Sequence, residues 1–214
     1  MAFYFVGMLQ NLAVYPTAYA TFRREHADGC YSSTTFLLHY TLLELPFTAL
    51  SSIIFGVLAA FAINCKRTAA FCFITALNCF CIVTTGESIG IVFCALFEAH
   101  EGFSVNVMST IISISVTMAG LFSLNMPSWL KGLNYLSPLK YLVGNLLPYM
   151  MQGQKFSCGV EQQGPDGKCT LGTGEEVLQL YGFVHNPAVQ LGALVACTVI
   201  YRLLSFAVLW ALRR

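Results

Sequence analysis

The chain has 214 residues, 57% of them hydrophobic and only 10% charged, with a formal net charge of +1. Soluble domains carry roughly 25% charged residues, so a mean hydropathy of +0.68 assigns this chain to a membrane and leaves too little polar surface for a water-soluble globule. Neither sign of charge dominates, which excludes a general attraction to nucleic acid or anionic surfaces.

Five stretches are long and apolar enough to cross a hydrocarbon layer about 30 Å thick at about 1.5 Å per helical residue. They cover residues 2–21, 47–64, 69–97, 105–124 and 189–212. Lipid offers backbone amides no partner and no alternating barrel pattern is present, so each span is expected to be helical. The expected fold is an all-α, multi-pass membrane bundle. The first stretch has no basic leader and no cleavage segment, so it does not read as a signal peptide. Between it and the second span, residues 22–46 gather Arg23, Arg24, Glu25, His26 and Asp28, followed by Glu44 inside apolar sequence. This segment reads as a connecting helix with a polar face. The third span exceeds the membrane's need and is expected to tilt, kink at Gly86 or project beyond the lipid.

In the fourth span Asn106, Ser109, Ser113, Thr117 and Gly120 recur at three- and four-residue steps, which stacks them on one helix face. Such a stripe permits close helix packing. Residues 125–188 divide into two parts. The first, with Pro127, Pro138 and Pro148 among aromatics, suits short re-entrant or interfacial helices anchored by Trp129, Tyr135, Tyr141 and Tyr149. The second, "KFSCGVEQQGPDGKCTLGTGEEV", is a polar, turn-rich loop.

Cysteine placement suggests the orientation. Seven of nine cysteines lie in or beside apolar segments as small hydrophobes, whereas Cys158 and Cys169 sit in the polar loop. A pair there closes a disulfide only in an oxidising compartment; the alternative is two free thiols in a cytosolic loop. With the disulfide the loop is extracellular or lumenal, and counting back puts residues 22–46 and the Arg213–Arg214 tail in the cytosol. Arg23, Arg24, Arg213 and Arg214 inside, against Lys66 and Arg67 outside, lean the same way. Five spans ending inside must start outside, so the expected parent carries one more span, and a cytosolic domain, before Met1.

At this point the chain resembles the membrane half of the G (White) subfamily of ATP-binding cassette (ABC) transporters, an ABC-2 type permease. The likeness rests on Phe22-x-x-Glu25, the Gly29–Tyr31 step "GCY", "ELP" at residues 44–46, "TGESIGIVFCALF", "STIISISVTMAGLFSL", "MPSWLKGLNYLSPLKYLVGNLL" and "GTGEEVL". It covers nearly the whole chain, residues 1–214, which would lack the family's first of six spans and its N-terminal nucleotide-binding domain. The resemblance implies a dimer, of like or unlike subunits, that exports lipids, sterols or other amphipathic molecules by alternating access. It implies a plasma-membrane or endomembrane location. Residues 22–46 would be the cytosolic coupling helix, with Arg23, Arg24, Glu25, Asp28, Gly29 and Tyr31 meeting the nucleotide-binding domain. Gln10, Asn11, Ser113, Val116 and Thr117 would line the substrate cavity, and Leu121 and Phe122 would form its apolar plug. No Gly-x-x-x-x-Gly-Lys-Ser/Thr phosphate loop occurs, so ATP and Mg2+ would bind the missing domain and this chain alone would not be an enzyme.

Two carboxylates need their own account, since one near mid-bilayer costs roughly 2.5–3.5 kcal/mol and normally pairs or meets water. Glu44 is expected to pair with Arg23 or Arg24 near the cytosolic boundary. Glu87 departs from the small or amide residues expected there and reads as a polar relay member, a cavity-facing contact, or a protonated acid hydrogen-bonded to Ser88 or Thr84. A competing reading makes both part of an ion-gradient-driven transporter or channel, and a third makes the chain a non-transporting truncated scaffold. The four histidines form no His-Glu-x-x-His pattern, and "CFC" lacks the second pair a zinc site needs.

Overall fold

A computed structural model describes residues 2–30, 32–62, 68–96, 101–119, 127–156, 172–183 and 186–212. Eight helices occupy them: α1 (Ala2–Ala27), α2 (Ser33–Ala62), α3 (Ala69–Leu96), α4 (Glu101–Met118), α5 (Ser128–Asn134), α6 (Pro138–Met151), α7 (Gly174–Leu180) and α8 (Pro187–Leu212). The fold is all-α, as composition required. Among the described residues α2, α3 and α8 are long and apolar enough to cross a membrane, and α4 adds a shorter apolar helix, Val105–Met118. The sequence assigned five crossings; α1 has the length but carries Gln10, Asn11 and a charged end.

The centre of the bundle is α3, which packs against α1, α2, α4, α6 and α8. Of its apolar span 72% is buried, against 28% for α2 and 17% for α8. Small residues make this possible. A Cβ on Gly86 would stand 2.7 Å from the Tyr4 carbonyl oxygen of α1, and one on Gly7 would stand 2.5 Å from the Val83 carbonyl oxygen. Each helix therefore carries a glycine at the crossing, which lets the two backbones touch. The helix α3 runs unbroken through Gly86, where the missing side chain admits the α1 backbone. Tyr4, Met8, Ile82, Ile91, Met108, Ile112, Leu139 and Leu194 fill the surrounding core.

Residues 22–46 do not form a helix of their own. Residues 22–27 complete α1, and α2 begins at Ser33 and runs unbroken through Pro46. The turn between them has a defined chemistry. The Cys30 N–H donates to the Glu25 carbonyl at 3.0 Å and the Gly29 N–H to the His26 carbonyl at 3.0 Å, with Gly29 at φ 77°. That is a Schellman closure, whose left-handed position suits glycine. Ser32 then caps α2, its hydroxyl accepting from the Thr35 N–H at 3.3 Å.

Past α4, α5 and α6 are two short helices joined at Tyr135–Ser137, with Trp129 and Tyr135 exposed as interfacial side chains. The buried amide of Asn145 fixes α6, donating to the Pro187 carbonyl of α8 and accepting from Asn78 of α3, each at 2.6 Å. The polar loop is closed at its base by an antiparallel bridge between Lys155 and Thr173. Gly174 presses on the end of α6, where a Cβ would collide with the Met151 carbonyl. A capping box starts α7: the Glu176 N–H donates to the Thr173 hydroxyl, while the Glu176 carboxylate accepts from the Gly172 and Thr173 N–H groups at 2.7 and 3.2 Å. These bonds hold the Glu176 carboxyl below the usual carboxylate range.

Candidate functional site

Three groups of polar side chains among the described residues are candidates for function. The first joins α2, α3 and α8. Glu87 is 2% exposed and its carboxylate accepts from the Thr48 hydroxyl of α2 at 3.1 Å. Glu44 lies one turn before Thr48 on the same face of α2 and shares a side-chain hydrogen bond with Tyr40. From α8 the Arg202 guanidinium donates to the Thr41 hydroxyl and, at 3.4 Å, to the Ser88 hydroxyl. Glu44, Glu87 and Arg202 lie within electrostatic reach of one another. The guanidinium thus spans α2 and α3 from the last helix.

This arrangement corrects the pairing expected for Glu44. Its charged neighbour is Arg202, whereas Arg24 is exposed at the end of α1 and the Arg23 side chain lies outside the described residues. The reason is geometric: α1 ends before the turn, so Arg24 stays exposed there while Glu44 sits three helical turns into α2. Glu87 bonds to Thr48, a residue of another helix, rather than to Ser88 or Thr84. Those two hydroxyls instead donate to carbonyls one turn back, Ser88 to Thr84 at 2.8 Å and Thr84 to Phe80 at 2.9 Å.

The second group lies at the α1–α2 turn. Arg24, Asp28 and Gly29 are exposed, Glu25 and His26 half-buried, and Tyr31 is outside the described residues. Beneath them Phe22 is buried and stacks on His26 and on Phe36, with ring centroids 5.3 and 4.5 Å apart. Phe36 in turn meets Tyr40 at 6.2 Å. A ladder of aromatic rings therefore runs from the charged turn to Tyr40, the hydrogen-bond partner of Glu44. Phe22 stood out in the sequence; Phe36 and Tyr40 did not, because their stacking depends on how α1 meets α2.

The third group is the face of α4. Asn106, Thr110, Ser113 and Thr117 are exposed, Ser109 is half-buried, and Met108, Ile112 and Met118 hold the other side in the core. Thr110, Ser113 and Thr117 each donate to the carbonyl four residues earlier, at 2.9, 2.8 and 2.9 Å. These three hydroxyl protons are thus used within the helix, so Thr110, Ser113 and Thr117 present oxygen acceptors beside the Asn106 amide. Val116 packs against the core instead of joining that face. Leu121 and Phe122 lie outside the described residues, as do the side chains of Gln10 and Asn11 and both Cys158 and Cys169. A separate cleft of about 240 Å3 opens between α4, α3, α8 and the α5–α6 turn, walled by Tyr4, Ile89, Ile114, Met118, Leu136 and Tyr201. Its lining is mainly apolar. Among the described residues no group of three or more His, Cys, Asp or Glu side chains is placed to hold a metal.

Comparison with known proteins adds an independent line. The family model for the ABC-2 type transporter matches residues 1–151. The chain is similar to the uncharacterized ABC transporter ATP-binding protein/permease YOL075C of Saccharomyces cerevisiae, 41% identical over 211 residues, which is 98% of this chain and 16% of that protein. It is also similar to multidrug resistance protein CDR2 of Candida albicans, 23% identical over 168 residues, covering 72% of this chain and 10% of that protein. The chain therefore spans about a sixth and a tenth of the lengths of these two relatives. With its helical bundle and apolar spans, the chain belongs to the ABC-2 type transporter family and is an integral, multi-pass membrane component of an ABC transporter.

Proposed function

We propose that this chain is the permease part of an ATP-driven exporter that moves lipids, sterols or other amphipathic small molecules by alternating access. The observation that carries the reading is the uncovered face of α4. Asn106, Ser113 and Thr117 are polar, exposed, and anchored from behind by Met108 and Ile112. A helix that keeps its polar side uncovered within one subunit suits the wall of a cavity completed by a second transmembrane subunit. A face whose Ser113 and Thr117 hydroxyl protons are tied to their own helix fits a selector that reads width and amphipathicity rather than one hydrogen-bonding pattern.

Energy would enter at the α1–α2 turn. Arg24, Glu25 and Asp28 would meet a nucleotide-binding domain holding ATP and Mg2+, and the rings of Phe22, Phe36 and Tyr40 would pass its movement toward the Glu44–Glu87–Arg202 cluster. Exposed ion pairs are worth only about 0–1 kcal/mol each, which suits a contact that must rearrange in every cycle. The loop after α6 would be extracellular or lumenal. Its base bridge at Lys155 and Thr173 supports a Cys158–Cys169 disulfide, since the two cysteines lie three positions after one bridging residue and four before the other.

The test is flux of a fluorescent phospholipid in vesicles containing the full-length protein. The reading expects ATP-dependent movement that Ser113→Tyr and Thr117→Phe block while the protein still accumulates and melts normally. Movement that ignores ATP and follows an imposed proton or sodium gradient would overturn it in favour of ion-driven transport.

A further inference from the structure

The cluster between α2, α3 and α8 has an uneven charge count. Two carboxylates, Glu44 and Glu87, face one guanidinium, Arg202, with Tyr40 as the remaining ionisable neighbour. On the far side of α3, Tyr4 of α1 faces Tyr201 and Cys197 instead of this cluster. Both acids are deeply buried, at 8% and 2% exposure, inside a membrane domain. If both were ionised, one excess negative charge would be held there without compensation, at a cost of several kcal/mol.

Hydrogen bonding independently points to a missing occupant. Glu44 Oε2 is buried and has no partner, and neither has Arg202 Nε. The hydroxyls that could donate to Glu44 Oε2 already give their protons elsewhere: Thr41 to the Leu37 carbonyl at 2.7 Å, Ser88 to the Thr84 carbonyl, and Thr48 to Glu87. A bare carboxylate oxygen in such surroundings needs a donor that the neighbouring side chains do not supply.

We propose that Glu44 and Glu87 together hold one proton, which makes the α2–α3–α8 junction a proton-binding site within the membrane domain. The proton comes from water reaching the half-buried Tyr40 end of α2 and forms an O–H bond on one carboxyl oxygen; Arg202 keeps its own protons. The cluster then carries no net charge, and the acid gains a donor to place between the two carboxyl groups. The site does not depend on which molecule is exported. Its function is to let three helices share a neutral polar joint that can open and close without moving a net charge through lipid.

Infrared difference spectroscopy of the full-length protein in lipid nanodiscs tests this, combined with thermal melting. The expected result is a protonated-carboxyl C=O stretch that disappears in Glu44→Gln and in Glu87→Gln, each with an unchanged melting temperature, because the amide replaces the acid and the remaining carboxylate balances Arg202. The double variant Glu44→Gln/Glu87→Gln leaves Arg202 unbalanced and is expected to melt lower than either single variant. Persistence of the band in both single variants overturns the proposal, and so does the absence of a band together with melting that rises with sodium. Should one single variant fail to accumulate, the other decides the matter alone.

Discussion

The α2–α3–α8 junction and the outer face of α4 are both polar regions on apolar helices, yet the structure treats them in opposite ways. At the junction three hydrogen bonds cross between helices: Thr48 to Glu87, and Arg202 to Thr41 and to Ser88. On α4 the hydroxyls of Thr110, Ser113 and Thr117 turn back to their own helix and the face stays uncovered. A polar residue satisfied by another helix holds the fold together, whereas one satisfied by its own helix leaves the fold indifferent to it. The contrast separates residues kept for architecture from residues free to meet something outside the chain.

Replacing Arg202 with Leu should break the comparison most severely. It leaves two buried acids without a counter-charge and is expected to destabilise the domain by about 3 kcal/mol, measured as loss of folded protein on detergent titration, with partial recovery when Glu87→Gln is added. Gly86→Val comes next. Its first added atom meets the Tyr4 carbonyl oxygen at 2.7 Å, so α1 must move off α3, at a cost of about 1–3 kcal/mol; cysteine crosslinking between α1 and α3 should fall accordingly. At the loop base, Thr173→Ala removes the α7 cap and should cost about 1 kcal/mol, read as faster amide exchange in Glu175–Val177. The pH dependence there has a definite sign. Because the Glu176 carboxyl titrates below its unfolded value, its contribution is complete above the ordinary carboxylate range and is lost as pH falls through the lowered one. Exchange at Gly172 and Thr173 should therefore rise in acid, and Glu176→Gln should abolish that rise. The smallest effect on folding is expected for Ser113→Ala and Thr117→Val, within about 0.5 kcal/mol by the same detergent titration, because nothing in the subunit leans on those hydroxyls.

Membrane class, helical fold and family were legible because apolar length and motif order are carried by the chain itself. Helix ends were less so. The "GCY" step was noticed, but reading it as a Schellman closure between two long helices required the positive φ at Gly29. The sequence marks Gly86, but a glycine that bends a helix and one that admits a neighbour look alike until Tyr4 is seen against it. Glu44 and Glu87 were flagged correctly as costly, yet their counter-charge was sought nearby in sequence. Arg202 was the available signal, a lone cation within the 189–212 apolar stretch, and an ionisable residue at such a position warrants a search of every other span.

Arg202 also bears on how the protein is made. It stands 114 positions after Ser88 and 161 after Thr41, so the acids enter the bilayer long before their cation leaves the ribosome. During that interval the half-built domain exposes an electrostatic defect that α8 repairs. A nascent chain stalled or cut before α8 would thus hold two unmatched acids in the bilayer, which makes synthesis of α8 a condition for a balanced junction.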